Sequence, residues 1–108
     1  MEQLTGFEHF SSFVQQSEAC LIYFSHEQCN VCKVLKPKIV EMCEVHFPLL
    51  KIGYADTVNY PDIAGQNGIF TVPGILVFFD RKEYIRVARN ISMAEFQKQI
   101  SRYYNMMF

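Results

Sequence analysis

The sequence Cys29-Asn30-Val31-Cys32 holds two cysteines three positions apart, close enough to close a small disulfide ring. The apolar spacing that follows predicts that this motif lies at the start of a helix. Because the N-terminus of a helix stabilises negative charge, the first sulfur meets favourable conditions for ionising. The thiolate is the form that attacks disulfides or binds metals. The motif therefore indicates a chemically active site.

The segments around the motif predict a buried strand followed by a long helix. Ala19 to Phe24 is a continuous apolar run with β-branched and aromatic members, which is typical of a central strand buried on both faces. Pro37 is expected to kink the helix, because proline lacks an N–H group and clashes with the preceding turn. The inner face of this helix is predicted from four apolar residues at helical spacing: Val31, Leu35, Ile39 and Met42.

Two capping boxes predict the first and last helices. Thr5 with Glu8, and Ser92 with Glu95, each pair a capping side chain with an acidic residue three positions later. Apolar residues then recur at helical spacing, as Phe7, Phe10, Phe13 and Val14 in the first helix and as Phe96, Ile100 and Tyr103 in the last.

The segments between them predict three more strands and a short helix. Leu49 to Ala55 and Ile75 to Phe79 are predicted strands, and Tyr84 to Arg89 alternates as an edge strand does. Pro61 to Asn67 fits a short helix with Gly68 as its stop. This order predicts an α/β fold with a mixed sheet of four or five strands and helices on both faces. The cysteines then follow a central parallel strand, where such sheets commonly place active sites.

Composition indicates one globular domain over residues 1–108. Half of the residues are hydrophobic, and the formal net charge of −1 favours neither a nucleic-acid partner nor an anionic membrane surface. No apolar run has the length needed to span a bilayer, and Met1 to Thr5 lacks the features of a secretory signal. Four cysteines in such a chain fit a cytoplasmic protein with reactive thiols better than a disulfide scaffold.

Three stretches together resemble the thioredoxin family. Phe24 to Pro37 is similar to the family's strand, redox loop and kinked helix, Val72-Pro73 stands where the family has a cis-proline, and Asp80 to Arg89 matches its terminal hairpin. The resemblance covers nearly the whole chain and implies a thioredoxin-like fold. It also implies a thiol–disulfide oxidoreductase in which Cys29 is the nucleophile and Cys32 resolves the mixed disulfide.

The resemblance further implies how such a protein meets its substrates. Val72 and Pro73 would contact the substrate, chiefly through the backbone of Val72, and the proline would keep metals from the thiols. The partners would be protein disulfides and an electron donor, either a reductase or a small thiol. No bound cofactor or metal is expected, and the chain is expected to be a monomer.

Five departures from the family pattern bear on redox poise and partner choice. Gln28 replaces an aromatic residue, Asn30-Val31 replaces Gly-Pro, and Tyr23 stands where the family has a buried acid that assists the second cysteine. Gly74 replaces a threonine, and a glycine common near Ala88 to Asn90 is absent.

Two alternatives to catalysis stay open at this point. Thioredoxin folds also serve as noncatalytic interaction modules. A zinc site would need further ligands such as Cys43, His26 or His46, although their spacing is not that of a zinc finger. Cys20 and Cys43 are otherwise interpreted as buried packing residues.

Overall fold

Nine elements build the chain, and the computed structural model describes all of residues 1–108. Their bounds, in chain order, are β1 (Glu2–Gln3), α1 (Phe7–Gln15), β2 (Ala19–Ser25), α2 (Asn30–His46), β3 (Lys51–Asp56), α3 (Pro61–Gln66), β4 (Gly74–Phe79), β5 (Lys82–Ala88) and α4 (Met93–Met107). The five strands form one sheet in the order β1-β3-β2-β4-β5.

The mixed α/β sheet confirms the predicted fold class. β2 lies at the centre and pairs in parallel with β3 and antiparallel with β4, which continues as an antiparallel hairpin into β5. All seven residues of β2 are buried, as its unbroken apolar run predicts. The strand that the sequence did not reveal is β1, whose two residues pair in parallel with β3. Two residues are too few to show an alternating pattern.

Successive side chains of β2 point to opposite faces of the sheet and so enter two separate cores. Leu21 and Tyr23 belong to a cluster of 16 buried residues that includes side chains from α2 and α4. Ile22 and Phe24 belong to a cluster of 13 that includes side chains from α1 and α3. Tyr23 therefore lies on the face of the sheet that α2 covers.

The predicted capping box at Thr5 is wrong. The N-cap of α1 is Gly6, with φ of 139° and no side-chain capping bond. Thr5 lies one residue too early, and its backbone N–H instead donates to Nδ1 of His9 at 3.0 Å. At the last helix, by contrast, the Ser92 side chain accepts a hydrogen bond from the backbone N–H of Glu95, as predicted.

The inner face of α2 differs from the prediction at its first residue. Val31 is 63% exposed, whereas Cys32 is only 1% exposed and takes the core position in the first turn. Each residue turns a helix by about 100°, so one position moves a side chain off the buried face. The core-facing residues are Cys32, Ile39, Met42 and Cys43, with Leu35 half-buried.

The turn between the last two strands is shorter than the gap between the predicted strands, which end at Phe79 and begin at Tyr84. Only Asp80 and Arg81 lie between β4 and β5, and both have positive φ, as a two-residue hairpin turn requires. The pairing shifts by one residue between Val77 and Phe78, which marks a bulge in the partner strand. Ile85 is buried while its neighbours Tyr84 and Arg86 are exposed, in agreement with the predicted alternation. No helix of the chain has both the length and the apolar character needed to cross a membrane.

Candidate active site

Cys29 and Cys32 are joined by a disulfide at the start of α2. Their Cα atoms are 5.2 Å apart. Cys29 is the N-cap of the helix, and its Sγ accepts a hydrogen bond from the backbone N–H of Cys32 at 3.2 Å. A sulfur in this position faces both a backbone donor and the positive end of the helix dipole, and both stabilise a thiolate.

The two sulfurs differ in their access to solvent. Cys32 is 1% exposed and belongs to the core beneath α2 and α4, whereas Cys29 is half-buried at the edge of that core. A protein-sized partner therefore reaches Cys29 first, and Cys32 faces inward.

The Val72–Pro73 loop lies at the same end of the sheet as the cysteines. Gly74, the first residue of β4, pairs with Phe24 near the end of β2, so the two loops leave neighbouring strands side by side. The Val72–Pro73 peptide bond is cis. Pro73 is buried, and Val72 is half-buried and packs against the core that also contacts Cys29.

The segment after β5 is attached to this loop. The backbone N–H of Arg89 donates to the carbonyl oxygen of Pro73 at 3.0 Å. Arg89 has φ of 60°, in the left-handed region that favours glycine. It lies in the stretch Ala88 to Asn90, where the family's glycine is absent, so an arginine adopts a conformation that suits glycine better.

Tyr23 has a structural part in the site that the sequence did not reveal. Its side chain is fully buried, and its hydroxyl donates to the carbonyl oxygen of Cys32 at 2.7 Å. Burial, and to a lesser degree the neighbouring Tyr54, raises the pKa of Tyr23 to about 12. The hydroxyl is therefore protonated at neutral pH, so it acts as a hydrogen-bond donor that holds the backbone of Cys32 and does not act as a base.

A polar cleft of about 480 Å³ borders Cys32 on the side of β3. Its lining includes Lys36, Tyr54 and Asp56. Lys36 Nζ lies 4.6 Å from the centroid of the Tyr54 ring, in a cation–π contact. Cys32 thus has ionisable and polar side chains on one side, which is a setting in which solvent can exchange protons with a thiol.

His26 contacts the loop through its backbone and its ring. Its carbonyl accepts from the N–H of Cys29 at 3.2 Å, and its Nδ1 accepts from the N–H of Gln28 at 3.2 Å. The histidine therefore holds the turn that leads into the motif, and its Nδ1 is already engaged.

Cys20 and Cys43 are free thiols with the packing role predicted for them. Both are buried, and burial raises the pKa of each to about 12. A protonated, inaccessible thiol is a poor nucleophile and a poor metal ligand. Cys43 also lies eleven residues beyond Cys32 on α2, about 16 Å along the axis at 1.5 Å per residue, so the two thiols cannot share a metal ion.

Comparison with known proteins gives one consistent result. The family model described as Thioredoxin matches residues 2–102. A thioredoxin-like protein of Bacillus subtilis, YdfQ, is 29% identical over 98% of this chain and 96% of its own length. A thioredoxin of Chlamydia caviae is 31% identical over 81% of this chain and 83% of its own length.

Solved structures agree with the sequence relatives. The oxidised mitochondrial thioredoxin 3 of Saccharomyces cerevisiae superimposes on this chain with a TM-score of 0.85 at 20% identity. The superposition covers 94% of this chain and 94% of the yeast chain. Thioredoxin 1 of Thermosipho africanus is 31% identical, covers 81% of this chain and 96% of its own, and has a TM-score of 0.73.

Proposed function

The chain belongs to the thioredoxin family and is a thiol–disulfide oxidoreductase, and we propose that Cys29 is its nucleophile and Cys32 its resolving thiol. The observation that carries this assignment is the unequal burial of a disulfide-bonded pair at a helix N-terminus. Cys29 is the accessible sulfur and receives a backbone hydrogen bond, whereas Cys32 is 1% exposed.

The exchange proceeds from the reduced dithiol in two displacements. The Cys29 thiolate attacks one sulfur of a substrate disulfide, a mixed disulfide forms, and the other substrate sulfur leaves as a thiolate that takes up a proton. Cys32 loses its proton and attacks the Cys29 sulfur, which releases the second substrate thiolate. Two electrons pass from the dithiol to the substrate, and the Cys29–Cys32 disulfide seen here is the product.

We propose that Val72 and Pro73 contact the substrate segment next to its disulfide. Their loop lies beside the cysteine loop at the same end of the sheet, and Val72 is only half-buried. The carbonyl of Pro73 is already bonded to Arg89, so the backbone of Val72 is the part of the loop left to pair with an extended segment.

Membership of this family implies, in general, that the substrates are protein disulfides and that a reductase is a partner. We propose further that residues 1–108 form one domain, that this domain works as a monomer in the cytoplasm, and that a reductase or a small thiol returns two electrons to Cys29–Cys32. The single sheet that joins elements from β1 to β5 supports the one-domain proposal.

Insulin reduction with a dithiol donor tests the assignment. We expect turnover by the wild type, none by Cys29→Ser, and mixed disulfides that accumulate on Cys32→Ser when it is mixed with disulfide substrates. Cys43→Ala is the matched control, because it also removes one thiol but leaves the motif intact. Undiminished turnover by Cys29→Ser would refute the assignment. Partner capture that is independent of Cys29 would instead favour a noncatalytic interaction module.

A further inference from the structure

We propose that the client segments of this chain carry acidic side chains beside an apolar one, and that they bind in a groove between α2 and the segment that joins β5 to α4. This inference rests on the proposed function and specifies its substrate class. The groove has a volume of about 690 Å³, within the range of ligand pockets and large enough for a few peptide side chains.

The floor of the groove is apolar. Its apolar lining residues are Val31, Val34 and Leu35 from α2, and Ile91 from the segment between β5 and α4. Val31 and Val34 are 63% and 62% exposed, although valine normally contributes to cores. Two exposed valines in successive turns give an apolar client side chain a surface on which to bury area.

The charged groups of the groove are all positive. Lys38 and Arg89 are its only charged lining residues, and no carboxylate lines it. The first turn of α2 and the N-cap of α4, Ser92, also border it, so both helix dipoles present their positive ends there. Glu95 in the first turn of α4 is exposed and lies outside the lining. The chain as a whole has a formal net charge of −1, so the excess of positive charge in the groove is not a general property of its surface.

The groove is continuous with the redox site. Val31 lies between the two cysteines, and Arg89 is bonded through its backbone to the carbonyl of Pro73. A segment that contacts Val72 and extends across Val31 therefore enters the groove directly. Charge complementarity then favours an aspartate or glutamate near the reacting client disulfide.

Two synthetic peptide disulfides test the proposal. Both carry the same apolar residue beside the cysteine, and one has Asp and Glu where the other has Asn and Gln. We expect the wild type to reduce the acidic peptide with a kcat/KM on the order of ten-fold higher at low salt, since two exposed ion pairs contribute a few-fold each. Raising the ionic strength beyond 0.1 M should shrink that ratio, because the Debye length falls below about 10 Å.

Matched variants separate the groove from general charge. Lys38→Glu/Arg89→Glu should abolish or invert the preference. Lys82→Glu/Arg102→Glu makes the same change in net charge and should leave the preference for the acidic peptide within about two-fold of the wild-type ratio. Lys82 is the first residue of β5 and lies six residues, about 20 Å, from Ala88 at the end of the strand that leads to the groove. Arg102 lies ten residues, about 15 Å, along α4 from Ser92, which lines the groove. Val34→Ser should slow both peptides, whereas Val45→Ser, at a valine of the same helix that is 65% exposed and outside the groove, should not.

The outcomes distinguish the two proposals. Equal turnover of both peptides by the wild type overturns the groove inference and leaves the oxidoreductase assignment standing. If neither peptide is turned over, insulin reduction decides whether that assignment stands, and the groove is then judged by titrating a cysteine-free acidic peptide into ¹⁵N-labelled protein. Amide shifts at Val34 and Ile91 that the neutral peptide does not produce support the inference, and their absence overturns it.

Discussion

Replacing Tyr23 by phenylalanine removes one hydroxyl and keeps the buried ring. That hydroxyl donates a 2.7 Å hydrogen bond to the carbonyl oxygen of Cys32 in the core. A buried hydrogen bond of this kind contributes about 1 kcal/mol to the free energy of unfolding. For a domain of about 100 residues, a loss of that size lowers Tm by about 4 °C. We therefore expect Tyr23→Phe to be folded and measurably less stable.

The same substitution should leave the pH dependence of catalysis unchanged. The pKa of Tyr23 is raised to about 12 by burial, so the hydroxyl neither gains nor loses a proton between pH 6 and pH 9 in the wild type. If proton exchange at Cys32 uses the polar cleft beside β3, deleting the hydroxyl removes no proton carrier. We expect kcat/KM within about three-fold of wild type, and an unaltered shape of its pH profile.

Urea unfolding of the oxidised protein and insulin reduction across pH 6 to 9 measure the two effects. Tyr104→Phe is the matched control, since the hydroxyl of this buried tyrosine also makes a hydrogen bond, accepting from the backbone N–H of Leu49 at 3.1 Å, and Leu49 lies beyond the opposite end of α2 from the cysteines. A displaced limb of the pH profile in Tyr23→Phe, but not in the control, would show that Tyr23 carries a proton and that the interpretation of its role is wrong.

Three further predictions follow from burial and backbone geometry. Burial raises the pKa of Cys20 and of Cys43 from about 9 to about 12, so the stability that their protonated forms provide is full below pH 9 and is lost as the pH rises from 9 to 12. At pH 10 the loss is on the order of 1 kcal/mol for each thiol, which urea unfolding at pH 8 and pH 10 can measure. Gly53→Ala should cost about 1–2 kcal/mol, because the new Cβ would lie 3.0 Å from the buried side chain of Leu4 and would press on two other core residues. Arg89→Gly should raise stability by up to about 1 kcal/mol, because glycine adopts φ of 60° without strain, and thermal unfolding measures the gain.

Each of these has a control. Cys20→Ala/Cys43→Ala should lose less stability between pH 8 and pH 10 than wild type does, and an equal loss would contradict the assignment to these thiols. Gly65→Ala should be stabilising where Gly53→Ala is not, because a Cβ at Gly65 meets nothing within 4 Å and alanine favours the helix. Arg89→Ala removes the same charge without relieving φ, so a gain equal to that of Arg89→Gly would show that strain is not the cause.

Sequence pattern predicted the fold because its main elements are long and strongly patterned. The apolar run from Ala19 predicted the central strand. Because this run comes just before the cysteines, it placed the motif at the C-terminal end of that strand. β1 was missed because two residues carry no pattern. Gly6 and not Thr5 is the N-cap of α1, and its φ of 139° is a backbone property that the sequence pattern does not show.

The chemistry of the site was determined by the sequence, since two cysteines three residues apart at a helix start are a local feature. The surroundings of the motif were decided only by the tertiary structure. The sequence showed only that Tyr23 stands where the family has a buried acid. The structure shows that its hydroxyl donates to Cys32, because alternation along β2 turns the side chain towards α2. Val31 was expected inside and lies outside, where it lines the same groove as Arg89, a residue some 60 positions later in the chain. Local spacing sets what a residue can do, but only the packing of distant segments sets which residues it meets.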